Sequence, residues 1–271
     1  MEKNSMHIDS ANLNNLTQLW QRYGARLLYE DDQTQLRKNI GWPNRVWTDM
    51  ARPVSAISLE TTAKNAPETA IFPVWPAMTE DGSAAAQVTV DTLVRDSCDW
   101  QPAVQLTAMA LQLDKRLPVK LLPIKLSPIK PMTVERCPIQ IRCIKNDTDI
   151  MDWVAAGSKA FGYAIDANVI LPLLACADIQ LMMAYNEDSK PVATGLLFKT
   201  GDVVGIHQIG VPVDHQSRGY ATQMMRFLIQ YAEEWQASYV VLQASEAGRP
   251  VYQKLGFVDQ FLITYLQRYK S

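Results

Sequence analysis

Only three histidines and four cysteines (Cys98, Cys137, Cys143 and Cys176) occur in 271 residues, and no two cysteines form a CxxC pair. That shortage predicts a chain without a metal centre or a disulfide framework, at home in a reducing compartment. No apolar run reaches the ~18 residues a membrane span needs. The stretch 1–14 is polar, without the apolar core of a signal peptide. A charge surplus is missing as well, since 26 Lys and Arg stand against 28 Asp and Glu, a formal net charge of -2. The basic footprint of a nucleic-acid or anionic-membrane binder is therefore absent. Also lacking is a G-x-G-x-x-G after the first strand of a βαβ unit, which argues against a dinucleotide oxidoreductase. These absences predict a cytoplasmic protein acting on small ligands, with neither nucleic acid nor membrane as partner.

What is present is an ordinary globular composition, 48% apolar and 20% charged, enough to bury a core. The two halves differ in texture. Five of the seven tryptophans (Trp20, Trp42, Trp47, Trp75, Trp100) lie in the first half, and nine of the twelve glycines lie in the second. Between them Pro118, Pro123, Pro128 and Pro131 recur in step with Lys120, Lys125 and Lys130. Such proline density excludes helix and central strand, so this run reads as a connector between a domain over 1–132 and another over 133–271. The first domain reads as α+β, with a helix over 13–29 and strands over 88–94 and 105–113. Its tryptophans are most simply core residues, and no catalytic motif stands out.

The second half is more legible. A strand over 139–144 leads to a helix capped by Asn146 or Asp147 and running to Phe161, and a short helix over 166–177 follows. Three apolar runs over 179–185, 191–200 and 203–211 read as antiparallel strands, the last two joined by a tight Gly201-Asp202 turn. Then come Gln216, Ser217, Arg218, Gly219, Tyr220 and Ala221, opening a helix whose apolar stripe is Ala221, Met224, Met225, Leu228, Ile229, Ala232 and Trp235. A glycine where a strand gives way to a helix lets backbone approach a ligand closely. Unpaired N–H groups and the helix dipole there suit a pyrophosphate. An apolar strand over 239–244, a short helix over 248–255 and a strand over 261–269 close the chain.

The pattern Gln216-x-x-Gly219-x-Ala221, followed by Tyr252-Gln-Lys-Leu-Gly256-Phe257, resembles the GNAT superfamily of acyl-CoA-dependent N-acyltransferases over about half the chain. The resemblance implies an α/β (α+β) fold with a mixed, mostly antiparallel central sheet flanked by helices. The first half would be a degenerate second copy or an accessory domain. It also implies acetyl-CoA as cosubstrate and a primary amine of a small molecule, or a peptide, as acceptor, in a monomer or homodimer. Ile209, Gly210 and Val211 would offer backbone groups to the acyl and pantetheine part, from a strand that splays at a bulge. Val213 stands where the family usually has proline, and Gln216, Ser217, Arg218, Gly219, Tyr220, Ala221 and Thr222 would hold the pyrophosphate. Ser245, at the end of the next strand, joins the cofactor-binding set. Tyr252 falls where the family often has a tyrosine that protonates the leaving thiolate. His207 is a candidate base against the alternative of a satisfied strand histidine, and a water chain could replace it. His215 reads as structural. Every cofactor residue lies after Ile206, so a chain beginning near residue 131 would be expected to keep binding CoA. A non-catalytic acyl-CoA-binding regulatory or interaction protein is the rival reading.

Overall fold

The computed structural model describes residues 7–32, 34–49, 54–85, 90–96, 99–113 and 139–268. The proline-punctuated run and the boundary near 132 lie outside these residues. In chain order the elements are α1 (Ile8–Arg22), β1 (Ala25–Glu30), β2 (Gln35–Asn39), β3 (Val46–Thr48), α2 (Ala56–Asn65), β4 (Ile71–Val74), α3 (Val90–Asp96) and β5 (Trp100–Gln112). They continue with β6 (Gln140–Cys143), α4 (Asp147–Phe161), α5 (Ala167–Ile170), β7 (Ile179–Tyr185), β8 (Pro191–Thr200), β9 (Val203–Gly210) and α6 (Tyr220–Glu234). Last come β10 (Tyr239–Ala244), α7 (Arg249–Lys254) and β11 (Val258–Arg268). The protein is mixed α+β, and it divides into one compact unit of Met1–Leu111 with Val241–Ser271 and a second of Gln112–Val240. Among the described residues no helix is long and apolar enough to cross a membrane.

The first unit holds a three-stranded sheet, β1-β2-β3, and four strands in the order β4-β11-β5-β10. The closing strand β11 takes its partners from the first half of the sequence. It pairs antiparallel with β5 from Val258 opposite Ala110 to Arg268 opposite Trp100, and with β4 over residues 264–267. Phe72, Trp100 and Leu266 from these three strands share a core with Leu36, Val46 and Leu59. Four of the early tryptophans are buried, and Trp20 packs against Trp47 at 5.2 Å and Trp75 at 6.3 Å, so core packing is their role. Asn12 of α1 is wholly buried and fully engaged. Its Nδ2 donates to the Met109 carbonyl and to Gln260 Oε1 (2.5 Å), while its Oδ1 accepts from Gln243 Nε2 (2.7 Å). Gln260 Nε2 in turn donates to Asp9 Oδ1. This chain of amides ties α1 to β5, β10 and β11, and a buried network of this kind is costly to break at any member.

Two expected elements differ. The helix expected to reach residue 29 stops at Arg22, because Gly24 adopts φ +79°, and the remaining apolar residues form β1. The expected strand over 88–94 is helical from Val90 onward. Val90, Leu93 and Val94 sit at i, i+3 and i+4 and face one core cluster together, which an alternating strand could not do.

In the second unit β9-β8-β7-β6 pair antiparallel throughout. The Gly201-Asp202 turn closes the β8–β9 hairpin, with Gly201 at φ +61° and Thr200 facing Val203. Helix α4 starts where Asn146 accepts the Asp149 N–H and ends at left-handed Gly162. Its fully buried Trp153 donates from Nε1 to the carbonyls of Met182 and Gly195, fixing the helix across β7 and β8. After α5, Pro172 cannot donate a backbone hydrogen bond and the chain tightens into a 3₁₀ turn over Leu171–Ala175. The stripe of α6 buries Met224, Met225, Leu228 and Ala232, each larger side chain contributing ~1.5–3 kcal/mol of apolar burial.

Candidate functional site

The end of β9 is irregular. Leu196 pairs with His207 and Thr194 with Gly210, so Gly195 alone stands opposite both Gln208 and Ile209. One extra residue in β9 makes a β-bulge, which leaves ladder groups unpaired and bends the strand. Gln208 carries the distortion at φ +54°, a conformation that costs a non-glycine residue ~1–2 kcal/mol. Its carbonyl accepts the Thr194 hydroxyl at 2.8 Å, while its side-chain Oε1 is buried without a hydrogen-bond partner, a further cost of ~1–3 kcal/mol. Gly210 follows. A Cβ there would lie 2.9 Å from Ala160 Cβ, 3.0 Å from Thr194 Oγ1 and 3.1 Å from Phe161 Cε2, so the approach this glycine permits is that of α4.

Beyond Val211 the chain turns at Pro212, makes a 3₁₀ turn over Val213–His215 and becomes extended at Gln216. The Gln216 side chain donates from Nε2 to the Val211 carbonyl (3.1 Å), bracing the loop across its own base. Ser217 and Gly219 are both left-handed, at φ +60° and +81°. Gly219 is the N-cap residue of α6 and offers no side chain, and no acidic residue stands in the first turn. The backbone N–H groups of Tyr220, Ala221 and Thr222 therefore open the helix without a side-chain cap and without a competing carboxylate. That arrangement favours an anion. Outside it, Lys159 of α4 pairs with Asp214 at 2.8 Å and holds that carboxyl below its ordinary range. His215 lies in the same turn with its ring 6.4 Å from Tyr220.

His207 is only 8% exposed, and burial pushes its imidazole down to about 3. It is neutral at pH 7 but a weak proton acceptor, so its burial favours the packed role over that of a base. A linkage effect follows. The unfolded histidine binds its proton near 6.5 and the folded one only near 3, so stability present above pH 6.5 is lost as the pH falls toward 3. At pH 5 this loss amounts to about 2 kcal/mol. Denaturant unfolding at pH 7 and pH 5 should show that drop in the natural protein and a smaller one in His207→Gln. An equal drop in both would assign the acid sensitivity elsewhere.

Tyr252 and Ser245 belong to the first unit. Tyr252 lies on α7, its ring 6.0 Å from Phe257 in an edge-on contact, and burial raises its phenol to about 12. It stays protonated over the whole working pH range. The Ser245 hydroxyl accepts the Gly248 N–H (3.2 Å) in the turn before α7, and Arg249 pairs with Asp259 of β11 to fix that helix. Three contributors escaped the sequence pattern: Thr194, Gln208 and Trp153. A bulge centred on glutamine has no residue signature, and Trp153 reads as any apolar helix position.

Comparison with known proteins agrees with this geometry. Residues 155–257 match the acetyltransferase (GNAT) family, a stretch reaching from within α4 to the residue before β11. The whole chain resembles solved structures at low identity. A GCN5-related N-acetyltransferase from Kribbella flavida is 16% identical, with 98% of each chain covered and a TM-score of 0.65. One from Sphaerobacter thermophilus is 14% identical over 87% of this chain and 76% of that one, at 0.58. An acetyltransferase of the GNAT family from Novosphingobium aromaticivorans DSM 12444 is 10% identical over 97% and 99%, at 0.57. The sequence matches no curated protein. The bulged strand and the glycine-opened helix both lie within the stretch that matches this family. The chain carries a GNAT acetyltransferase domain at residues 155–257.

Proposed function

We propose that the protein transfers an acetyl group from acetyl-CoA to a primary amine of a small molecule, directly, within a ternary complex. The observation that carries this reading is the first turn of α6, which opens on left-handed Gly219 with no side-chain cap and no acidic residue. Residues 216–222 would hold the pyrophosphate there, with Gln216 keeping the loop in shape through Val211. Acetyl-CoA supplies an activated acyl carbonyl, and the amine must reach it neutral. With its imidazole near 3, His207 is too weak a base to take the proton of an alkylammonium, so that proton leaves through water and His207 holds the strand. Val211, Val213 and the backbone of Ile209 and Gly210 would lie along the pantetheine arm. Tyr252, protonated at all working pH values, is the proposed hydrogen-bond donor to the departing sulfur.

Release of free thiol from acetyl-CoA in the presence of a panel of primary amines tests the reading. Amine-dependent release supports it, whereas CoA binding without release for any amine would favour a non-catalytic binding protein. The tyrosine has its own test. Tyr252→Phe keeps the ring and loses only the hydroxyl, so kcat should fall roughly 10²-fold with CoA affinity nearly unchanged. The rate of the natural enzyme should show no basic limb from this residue below about pH 11, given a phenol raised to about 12. Unaltered turnover in Tyr252→Phe, with chemistry rate-limiting, would return the residue to packing.

A further inference from the structure

We infer that the acceptor is a primary amine carrying an aromatic ring, laid against the stacked side chains of Phe161 and Tyr163; this rests on the acyltransferase reading above. The pair is formed by the end of α4. Gly162 at φ +74° reverses the chain so that Tyr163 folds back onto Phe161, with ring centroids 5.6 Å apart and planes 17° from parallel. The reversal is pinned twice by Ser158, whose carbonyl accepts the Gly162 N–H and whose hydroxyl accepts the Ile165 N–H. Ile165 itself is buried, which anchors the far side of the turn. The stack is thus held in place before any ligand arrives, yet Tyr163 leaves 48% of its surface in water. A rigid, flat, half-exposed aromatic face suits a second ring, which gains dispersion and quadrupole contact with little ordering cost.

The stack's location connects it with the strand end. Phe161 Cε2, with Ala160 Cβ and Thr194 Oγ1, is one of three atoms that a side chain at Gly210 would crowd, so Phe161 borders the last residue of β9, beside the bulge. A second, independent observation lies at the bulge. Gln208 is held at positive φ, and its buried Oε1 has no donor. An unsatisfied carbonyl oxygen at a strained position is where a functional explanation is due, and the N–H of an amine is a donor of the required kind. An acceptor with a ring for Phe161 and Tyr163 and an N–H for Gln208 answers both observations at once. An alkylamine answers only the second.

The test compares 2-phenylethylamine with n-hexylamine as acceptors for the full-length enzyme. The ring-bearing amine should have the higher kcat/KM, by roughly three- to tenfold. Tyr163→Ser, a change at an exposed turn, should raise its KM and bring the ratio of the two amines toward one, while KM for acetyl-CoA stays put. Tyr163→Phe, which keeps the platform, should restore the preference. Equal kcat/KM for the two amines in the natural enzyme, or a preference that survives Tyr163→Ser, would overturn the inference and leave the acyltransferase reading standing. Absence of thiol release with either amine or with the wider panel would overturn both.

Discussion

A chain shortened to begin at residue 131 is expected to be recovered unfolded or aggregated, with no measurable affinity for CoA. Sequence position alone points the other way, because every proposed pyrophosphate contact lies after residue 206. The sheet decides otherwise. Strand β11 is flanked by β4 and β5, both encoded before residue 113, and truncation would strip hydrogen-bonding partners from both of its edges at a stroke. Phe261, Ile263, Tyr265 and Leu266 are each at most 6% exposed and would lose their covering. Full burial of one such side chain contributes ~1.5–3 kcal/mol. Four of them together rival the ~5–15 kcal/mol that separates a folded domain from its unfolded chain. Gln243 and Gln260 would also lose Asn12, leaving amides built for a buried network without partners. Circular dichroism and size-exclusion chromatography of the shortened chain check this. A soluble, cooperatively unfolding fragment that binds CoA like the intact protein would mean that residues 133–271 fold alone after all.

Gly219→Asp should lower CoA affinity by at least 100-fold in a protein that remains folded. Space is not the reason, for a Cβ at Gly219 would meet nothing within 4 Å. The backbone is at φ +81°, so any side chain there carries a strain of ~1–2 kcal/mol, which asparagine and aspartate tolerate better than most. Gly219→Asn therefore serves as the control, since it has nearly the same shape and backbone preference without the charge. Any gap between the two variants reports the electrostatics of the helix start. A carboxylate set against a bound pyrophosphate costs several kcal/mol, and 1.4 kcal/mol is tenfold in affinity. The asparagine variant should lose tenfold or less. Calorimetry with both variants, alongside thermal melts, reads the difference, and equal affinities for Asn and Asp would remove the pyrophosphate from this turn.

The second unit was largely legible from the sequence, and the reason is local. Strands β7 and β8 and the Gly201-Asp202 turn are set by apolar runs and turn residues that act over a few positions, and α6 by a stripe with helical spacing. What could not be read is non-local. The apolar residues of β11 announce a strand but say nothing of which strands flank it, so its place beside β4 and β5 was hidden. Short apolar runs are ambiguous for the same reason, as Val90, Leu93 and Val94 show by forming α3 where alternation suggested a strand. At the candidate site the glycine-opened helix had a motif, but the bulge did not. Gln208 takes a conformation its residue type disfavours, held by Thr194 from the neighbouring strand, and only paired strands reveal it.

The most direct single measurement is the backbone amide spectrum of the full-length protein titrated with CoA, read at Gly219, Tyr220, Ala221 and Thr222. If the pyrophosphate rests on the first turn of α6, these four N–H groups should shift and gain protection from hydrogen exchange at the same CoA concentration. Saturable CoA binding that leaves all four unchanged would contradict the assignment of this turn as the coenzyme site.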